Sequence, residues 1–123
     1  MILKFDFSSD VPIYLQLRNQ IVIGIAEGQL KQGEKLPTVR ALAEESGINV
    51  MTVSKAYSLL KQEGYIVTDR RKGAVVAAQN NKPNVKEETL HTLRLNISEL
   101  RLAGMKKEEI IQLLETMYEE AEL

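Results

Sequence analysis

Apolar positions keep helical spacing in five stretches of this chain and take strand-like order in three shorter ones. Residues 2–7 (ILKFDF) alternate apolar and polar, which predicts a short strand. Ser8, Ser9 and Asp10 break it and offer capping side chains, and Pro12 suits a first helical turn, where its missing N–H is no loss. Tyr14, Leu17, Ile21 and Ile25 then recur at intervals of three and four, one face of a helix running to about Glu27. Residues 30–37 (LKQGEKLP) read as a connector. Val39, Leu42 and Ala43 mark a short helix over about Val39–Glu45 with Thr38 as its N-cap. Gly47 supplies a positive-φ turn. Val53, Ala56, Tyr57 and Leu60 mark a third helix over about Val50–Glu63, with Asn49 as N-cap. The β-branched runs 65–69 and 73–77 flank Arg70-Arg71-Lys72, which predicts a hairpin with a cationic tip.

The polar run 79–84 is the best boundary in the chain. Beyond it, Leu90, Leu93, Ile97 and Leu100 define a helix over about residues 85–103, with Leu95 and Leu102 on another of its faces. Ile110, Ile111, Leu113, Leu114, Met117 and Tyr118 define a second over about 106–121. The expected fold class is α+β, mostly helical: a domain over 1–78, a linker over 79–84 and a two-helix tail over 85–123. Two such helices are too short to hold a core of their own, so their stripes must bury against the first domain or a second copy. Two apolar faces on the first tail helix favour one contact within the subunit and one across a dimer axis. The expected dimerisation set is Leu90, Leu93, Leu95, Ile97, Leu100, Leu102, Ile110, Leu113, Leu114 and Met117.

Composition changes this picture in two ways. There is no cysteine among the 123 residues, which removes disulfides, thiolate metal sites and cysteine nucleophiles. No apolar run approaches the roughly 18–20 residues that span a bilayer, and the N-terminus has no export signal, so no membrane contact is expected and a cytoplasmic protein is the simplest reading. The net charge of −1 conceals an asymmetry: residues 1–80 hold ten Lys/Arg against eight Asp/Glu, and residues 81–123 hold six against nine. Contact with phosphates needs a locally basic surface, not a basic protein.

The stretch Leu36–Val76 carries the strongest signal. Two helices cross steeply only where the crossing residues are small and the turn is tight; Ala43 and Gly47 meet that need, and Val53 and Ala56 meet the first helix from the second. This is a helix-turn-helix, and the hairpin after it is a wing. In such a motif the start of the second helix reaches base edges. The exposed candidates there are Asn49, Met51, Thr52 and Lys55: Thr52 can hydrogen-bond a base or phosphate, Met51 offers an apolar contact, and Lys55 neutralises a phosphate. Arg40 is placed for a two-pronged contact to phosphate or guanine. Thr38 joins it at the start of its helix, and Arg70, Arg71, Lys72 and Gly73 form the wing tip.

The segment LPTVRALAEESGINVMTVSKAYSLLKQEGYI, followed by a basic turn and GAVV, resembles the winged helix-turn-helix domain of GntR-type bacterial transcription regulators. SSDVPIYLQLRNQIVIGIAEGQLKQGEKLP fits that domain's first strand and helix, and the short two-helix tail is similar to the YtrA-type subfamily. The resemblance places the family's helix-two arginine on Arg40, its recognition-helix threonine on Thr52 and its wing-tip glycine on Gly73. Val50 and Ser54 stand where many members carry arginine. It implies a homodimer that packs through the tail, is associated with the nucleoid when bound, and represses from a palindromic double-stranded DNA operator of GT…AC type.

Competing readings are duller. Arg40 and Glu44 have the spacing of a surface ion pair, and a cationic hairpin tip is often only solvated. His91 with Glu87 and Glu88 has metal-ligand spacing, yet a single histidine on an amphipathic helix is more often a surface residue, so no metal and no cofactor are expected. No nucleophile–base pair or phosphate-cradling glycine loop stands out, so an enzyme is not expected. The alternative from another class is a winged-helix protein-interaction module whose tail docks a protein partner. A small-molecule effector would have to use the dimer cleft between tail and DNA-binding domain, and no residue set names one.

Overall fold

The computed structural model describes residues 2–79 and 84–120. The chain divides into two compact units, Met1–Gln79 and Asn80–Leu123. In the first, helices α1 (Ile13–Ala26), α2 (Val39–Ser46) and α3 (Val50–Gln62) precede the antiparallel strands β1 (Ile66–Asp69) and β2 (Gly73–Val76). In the second, α4 (Glu87–Leu102) is followed by α5 (Lys107–Glu120). The expected linker residues 80–83 and the residues beyond 120 lie outside the described ones.

The core of the first unit forms where the helical stripes meet. Leu17 and Ile21 of α1, Leu42 and Ala43 of α2, and Val53, Ala56, Tyr57 and Leu60 of α3 join Leu30, Leu36, Ile66 and Val76 in one buried cluster. Burial of each large apolar side chain there contributes on the order of 1.5–3 kcal/mol. Tyr14 and Ile25, expected on the inner face of α1, sit at the rim of this cluster. The turn between α2 and α3 has the expected geometry: Gly47 adopts φ 70°, and its N–H bonds the Ala43 carbonyl.

Three expectations are corrected. Residues 2–7 do not pair as a strand. Leu3 and Phe5 pack against the core, but the backbone of this segment is held by two glutamine side chains of α1. The Lys4 N–H donates to Gln20 Oε1 (2.9 Å), and Gln20 Nε2 donates to the Lys4 carbonyl (2.6 Å). Gln16 does the same for Asp6 at 2.9 Å in both directions. Each amide side chain presents the donor and acceptor that a neighbouring strand would present. Second, Ser8, Ser9 and Asp10 do not cap α1, whose N-cap is Pro12 with no side-chain bond. Ser8 Oγ instead donates to Asp6 Oδ1 (2.6 Å), a bond that holds the Asp6 carboxyl below its ordinary range. Third, the connector 30–37 is more than a loop: an isolated antiparallel bridge pairs Lys35 with Val75 of β2. The Leu36 N–H bonds the Ala74 carbonyl, Gly33 N–H the Val76 carbonyl, and Val76 N–H the Glu34 carbonyl, each at 2.9 Å.

A two-pronged ion pair ties α1 to the end of α3. Arg18 Nε and Nη2 each donate to a Glu63 carboxylate oxygen at 2.8 Å, and the guanidinium lies 5.5 Å from the Tyr65 ring centroid. These hydrogen bonds raise the Arg18 pKa.

In the second unit α4 has no buried side chain, and Ile110 is the buried residue of α5. Leu90, Leu93, Leu95, Leu102, Ile111, Leu114 and Met117 are exposed, whereas Ile97, Leu100 and Leu113 are half-buried. Among the described residues no helix is long and apolar enough to cross a membrane.

Candidate nucleic-acid interface

The candidate contacts come from three segments of the first unit, each fixed by its own hydrogen bonds. At the start of α2, Thr38 Oγ1 accepts the Ala41 N–H (3.1 Å) and caps the helix. Arg40 follows, exposed. Behind them Tyr57 reaches across from α3, and its hydroxyl donates to the Pro37 carbonyl at 2.7 Å. Burial pushes the Tyr57 phenol up to about 12.

At the start of α3, Asn49 Oδ1 accepts the Met51 N–H (2.7 Å). The caps engage an oxygen of Thr38 and of Asn49, and leave the threonine hydroxyl proton and the asparagine Nδ2 donors for a ligand. Met51, Lys55, Ser58 and Gln62 recur at four, three and four residues and form the exposed face of α3, opposite Val53, Ala56, Tyr57 and Leu60. Met51 is 74% exposed, a large apolar side chain on that open face. Thr52 is half-buried at the edge of that face. The Lys55 ammonium stands 4.1 Å from the centroid of the Tyr14 ring.

At the wing tip, Asp69 pairs with Gly73 across the hairpin, and Arg70, Arg71 and Lys72 make the loop between them. Asp69 Oδ1 accepts the N–H of Arg71 (2.8 Å) and of Lys72 (3.0 Å), and Gly73 closes the loop at φ +85°. Those two backbone bonds hold the Asp69 carboxyl below its ordinary range.

Among the described residues, Arg40, Lys55, Arg70, Arg71 and Lys72 make no ion pair, so the reading of Arg40 as a partner of Glu44 fails. Arg40, Arg70 and Arg71 are exposed to water, Lys55 lies over a neutral ring, and Lys72 acts on the nearby Asp69 carboxyl without a direct ion pair. His91 is exposed on α4, and among the described residues no group of three potential ligands gathers to hold a metal ion. Three residues of the site were missed as participants: Tyr14, Tyr57 and Asp69. Asp69 had a legible signal, since an Asp two and three residues before backbone donors commonly closes a turn.

The family model described as "Bacterial regulatory proteins, gntR family" matches residues 13–76, which run from the start of α1 to the end of β2 and include every segment above. The chain belongs to the GntR family. It is a DNA-binding transcription regulator and not an enzyme. Among relatives, the regulator is 34% identical over 112 residues to the HTH-type transcriptional repressor YtrA of Bacillus subtilis (strain 168), covering 88% of this chain and 85% of that one. Its fold is similar to that of a transcriptional antiterminator from Listeria monocytogenes EGD-e (TM-score 0.86, 31% identity, 98% of this chain and 92% of that one). Its DNA-binding part is similar to AraR(DBD) in complex with operator ORX1 (TM-score 0.55, 25% identity, 63% of this chain and 96% of that one).

Proposed function

We propose that this GntR regulator binds a palindromic operator as a homodimer and represses the genes downstream, working in the cytoplasm. The observation that carries the reading is the set of cations without ion pairs at three hydrogen-bonded segments: Arg40 at the start of α2, Lys55 on the open face of α3, and Arg70–Lys72 at the wing tip. Thr38, Arg40, Lys55 and the wing meet phosphates and fix register; Asn49, Met51 and Thr52 face base edges. The wing tip, with Gly73 closing it, presents its cations to the neighbouring backbone or minor groove. A domain of residues 1–78 does this work, a linker over 79–84 follows, and the tail over 85–123 brings two copies together.

Support for the homodimer comes from the exposed leucines of α4 and from the exposed Ile111, Leu114 and Met117 of α5. Two copies related by a two-fold axis would read half-sites about 10 bp apart, or a multiple of that. Support for repression comes from YtrA, which is itself named a repressor.

The test is competition between duplex from the gene's own upstream region and random duplex, at two salt concentrations, with light scattering on the free protein. Preference for the upstream duplex, affinity that falls with salt, and a dimer mass at micromolar concentration are expected. Arg40→Ala should weaken operator binding by roughly 1–3 kcal/mol. Equal weak binding to both duplexes, or unchanged affinity in Arg40→Ala, would overturn the assignment.

A further inference from the structure

We infer that Tyr14 is a positioning residue for DNA binding: its ring fixes the Lys55 ammonium in place on the open face of α3. The inference rests on the proposed role of that face.

The Lys55 side chain has four rotatable carbons, and on a bare helix its ammonium would sweep a wide arc. Here Nζ stands 4.1 Å from the Tyr14 ring centroid, well inside the roughly 6 Å over which a ring face attracts a cation. No carboxylate pairs with Lys55 among the described residues, so the ring is what holds its ammonium. A carboxylate would hold the lysine equally well but would cancel its charge. A ring face orients the cation and leaves the full charge for a phosphate. It also leaves N–H donors free, because an ammonium has three.

The ring is itself held. Tyr14 is half-buried in the first turn of α1, at the rim of the core, on the helix whose Leu17 and Ile21 are fully buried. Through this contact α1, which carries no other candidate contact, takes part in presenting the recognition face.

The experiment has two readouts. In the free protein, the ring current of Tyr14 should move the Lys55 Hε protons upfield; the shift should vanish in Tyr14→Leu and persist in Tyr14→Phe. Affinity for the upstream duplex at fixed salt is then measured for the native protein, Tyr14→Phe, Tyr14→Leu, Lys55→Met and Tyr14→Leu/Lys55→Met. Thermal melts verify folding, and Tyr14→Met serves as a second non-aromatic variant. Tyr14→Leu should weaken binding by about two- to fivefold, the loss expected of a cation contact at an exposed site. Tyr14→Phe should stay within about twofold of native, and Tyr14→Leu should add nothing in the Lys55→Met background, because coupled residues are not additive. Equal losses in both backgrounds would reduce the residue to packing and overturn the inference. So would a loss in Tyr14→Phe as large as in Tyr14→Leu, since the phenylalanine ring keeps the cation contact. A flat cycle in a protein that still prefers the upstream duplex defeats this inference alone. If that preference is absent, the proposed operator reading fails, and the same cycle on random duplex, which depends on phosphate contacts, still decides the role of Tyr14.

Discussion

Tyr57→Phe deletes one oxygen and leaves the packing of the ring in place, so it isolates a single hydrogen bond at the base of the site. The phenylalanine fills the same volume in a position only 3% exposed. What goes is the 2.7 Å bond from the hydroxyl to the Pro37 carbonyl, which fixes the chain just before Thr38 and Arg40. The bond itself is worth about 0.5–1.5 kcal/mol net, and a carbonyl left without that donor adds to the cost, so the loss should be about 1–2 kcal/mol. For a unit of this size that corresponds to a fall in Tm of roughly 5–12 °C. The pH dependence supplies an independent check. The folded phenol titrates at about 12, above its ordinary 10.0, because burial disfavours the charged form. A pKa raised by folding contributes stability that is complete below the unfolded value and is lost as pH rises toward the folded one. The difference in stability between native protein and Tyr57→Phe should therefore be constant from pH 8 to about 10 and shrink above it. Denaturant titrations across that range measure it, and charges common to both proteins cancel in the difference. Equal melting temperatures, or a difference that ignores pH up to 11.5, would refute the reasoning.

Arg18→Met removes both 2.8 Å bonds to Glu63 from a pair whose side chains are 22% and 17% exposed. It should cost about 1.5–3 kcal/mol in urea denaturation, above the 0.2–1 kcal/mol typical of an exposed pair; a loss inside the lower range would mean that solvent screens the pair. Asp69→Ala sets charge against order. It removes an acid beside three cations, which by charge alone should tighten DNA binding, but it also removes the acceptor of the Arg71 and Lys72 N–H groups. Ordering should win, so affinity for the upstream duplex should fall severalfold, while Asp69→Asn, which keeps an acceptor oxygen, should bind at least as well as native. Tighter binding by Asp69→Ala would show that the wing needs no such brace. The Asp69 carboxyl lies below its ordinary 3.8, so wing order should be complete above about pH 4 and fall away as pH drops through that lower value, followed by the amide shifts of Arg71 and Lys72.

Local chemistry explains which features were legible in the sequence. Thr38 and Asn49 announced the starts of α2 and α3, and Gly47 the turn between them, because caps and positive-φ turns are decided within three or four residues. The inward set Leu17, Ile21, Leu42, Ala43, Val53, Ala56, Tyr57 and Leu60 followed from helical spacing. Features that depend on distant partners were not legible. Residues 2–7 have strand composition, yet whether they become a strand depends on what lies beside them, and Gln16 and Gln20 occupy that place. Residues 33–36 looked like a connector because Gly33 and Pro37 bracket them, and only β2, some forty residues later, gives them a bridge partner. Tyr57 was readable as a core residue but not as the donor to Pro37, twenty residues earlier. Lys55 was readable as a cation but not as one held by Tyr14.

The tail sets a condition on the proposed dimer that follows from magnitudes. Burying the exposed Leu90, Leu93, Leu95 and Leu102 of α4 in both copies would contribute at most about 12–24 kcal/mol, taking roughly 1.5–3 kcal/mol for each leucine, and the two leucines on one face would supply about half of it. These four do not share one helical face, so a single contact collects only part of that. Association costs on the order of 4–15 kcal/mol in lost translational and rotational freedom, before side chains are ordered. One face of α4 therefore leaves little or no surplus, whereas a micromolar dimer needs a net of about −8 kcal/mol. Ile111, Leu114 and Met117 of α5, each between 43% and 57% exposed, supply apolar area of the same order. A dimer that holds at micromolar concentration must then draw on both tail helices of each copy, and a regulator cut after α4 would lose that contribution and with it the two-fold pairing of recognition helices.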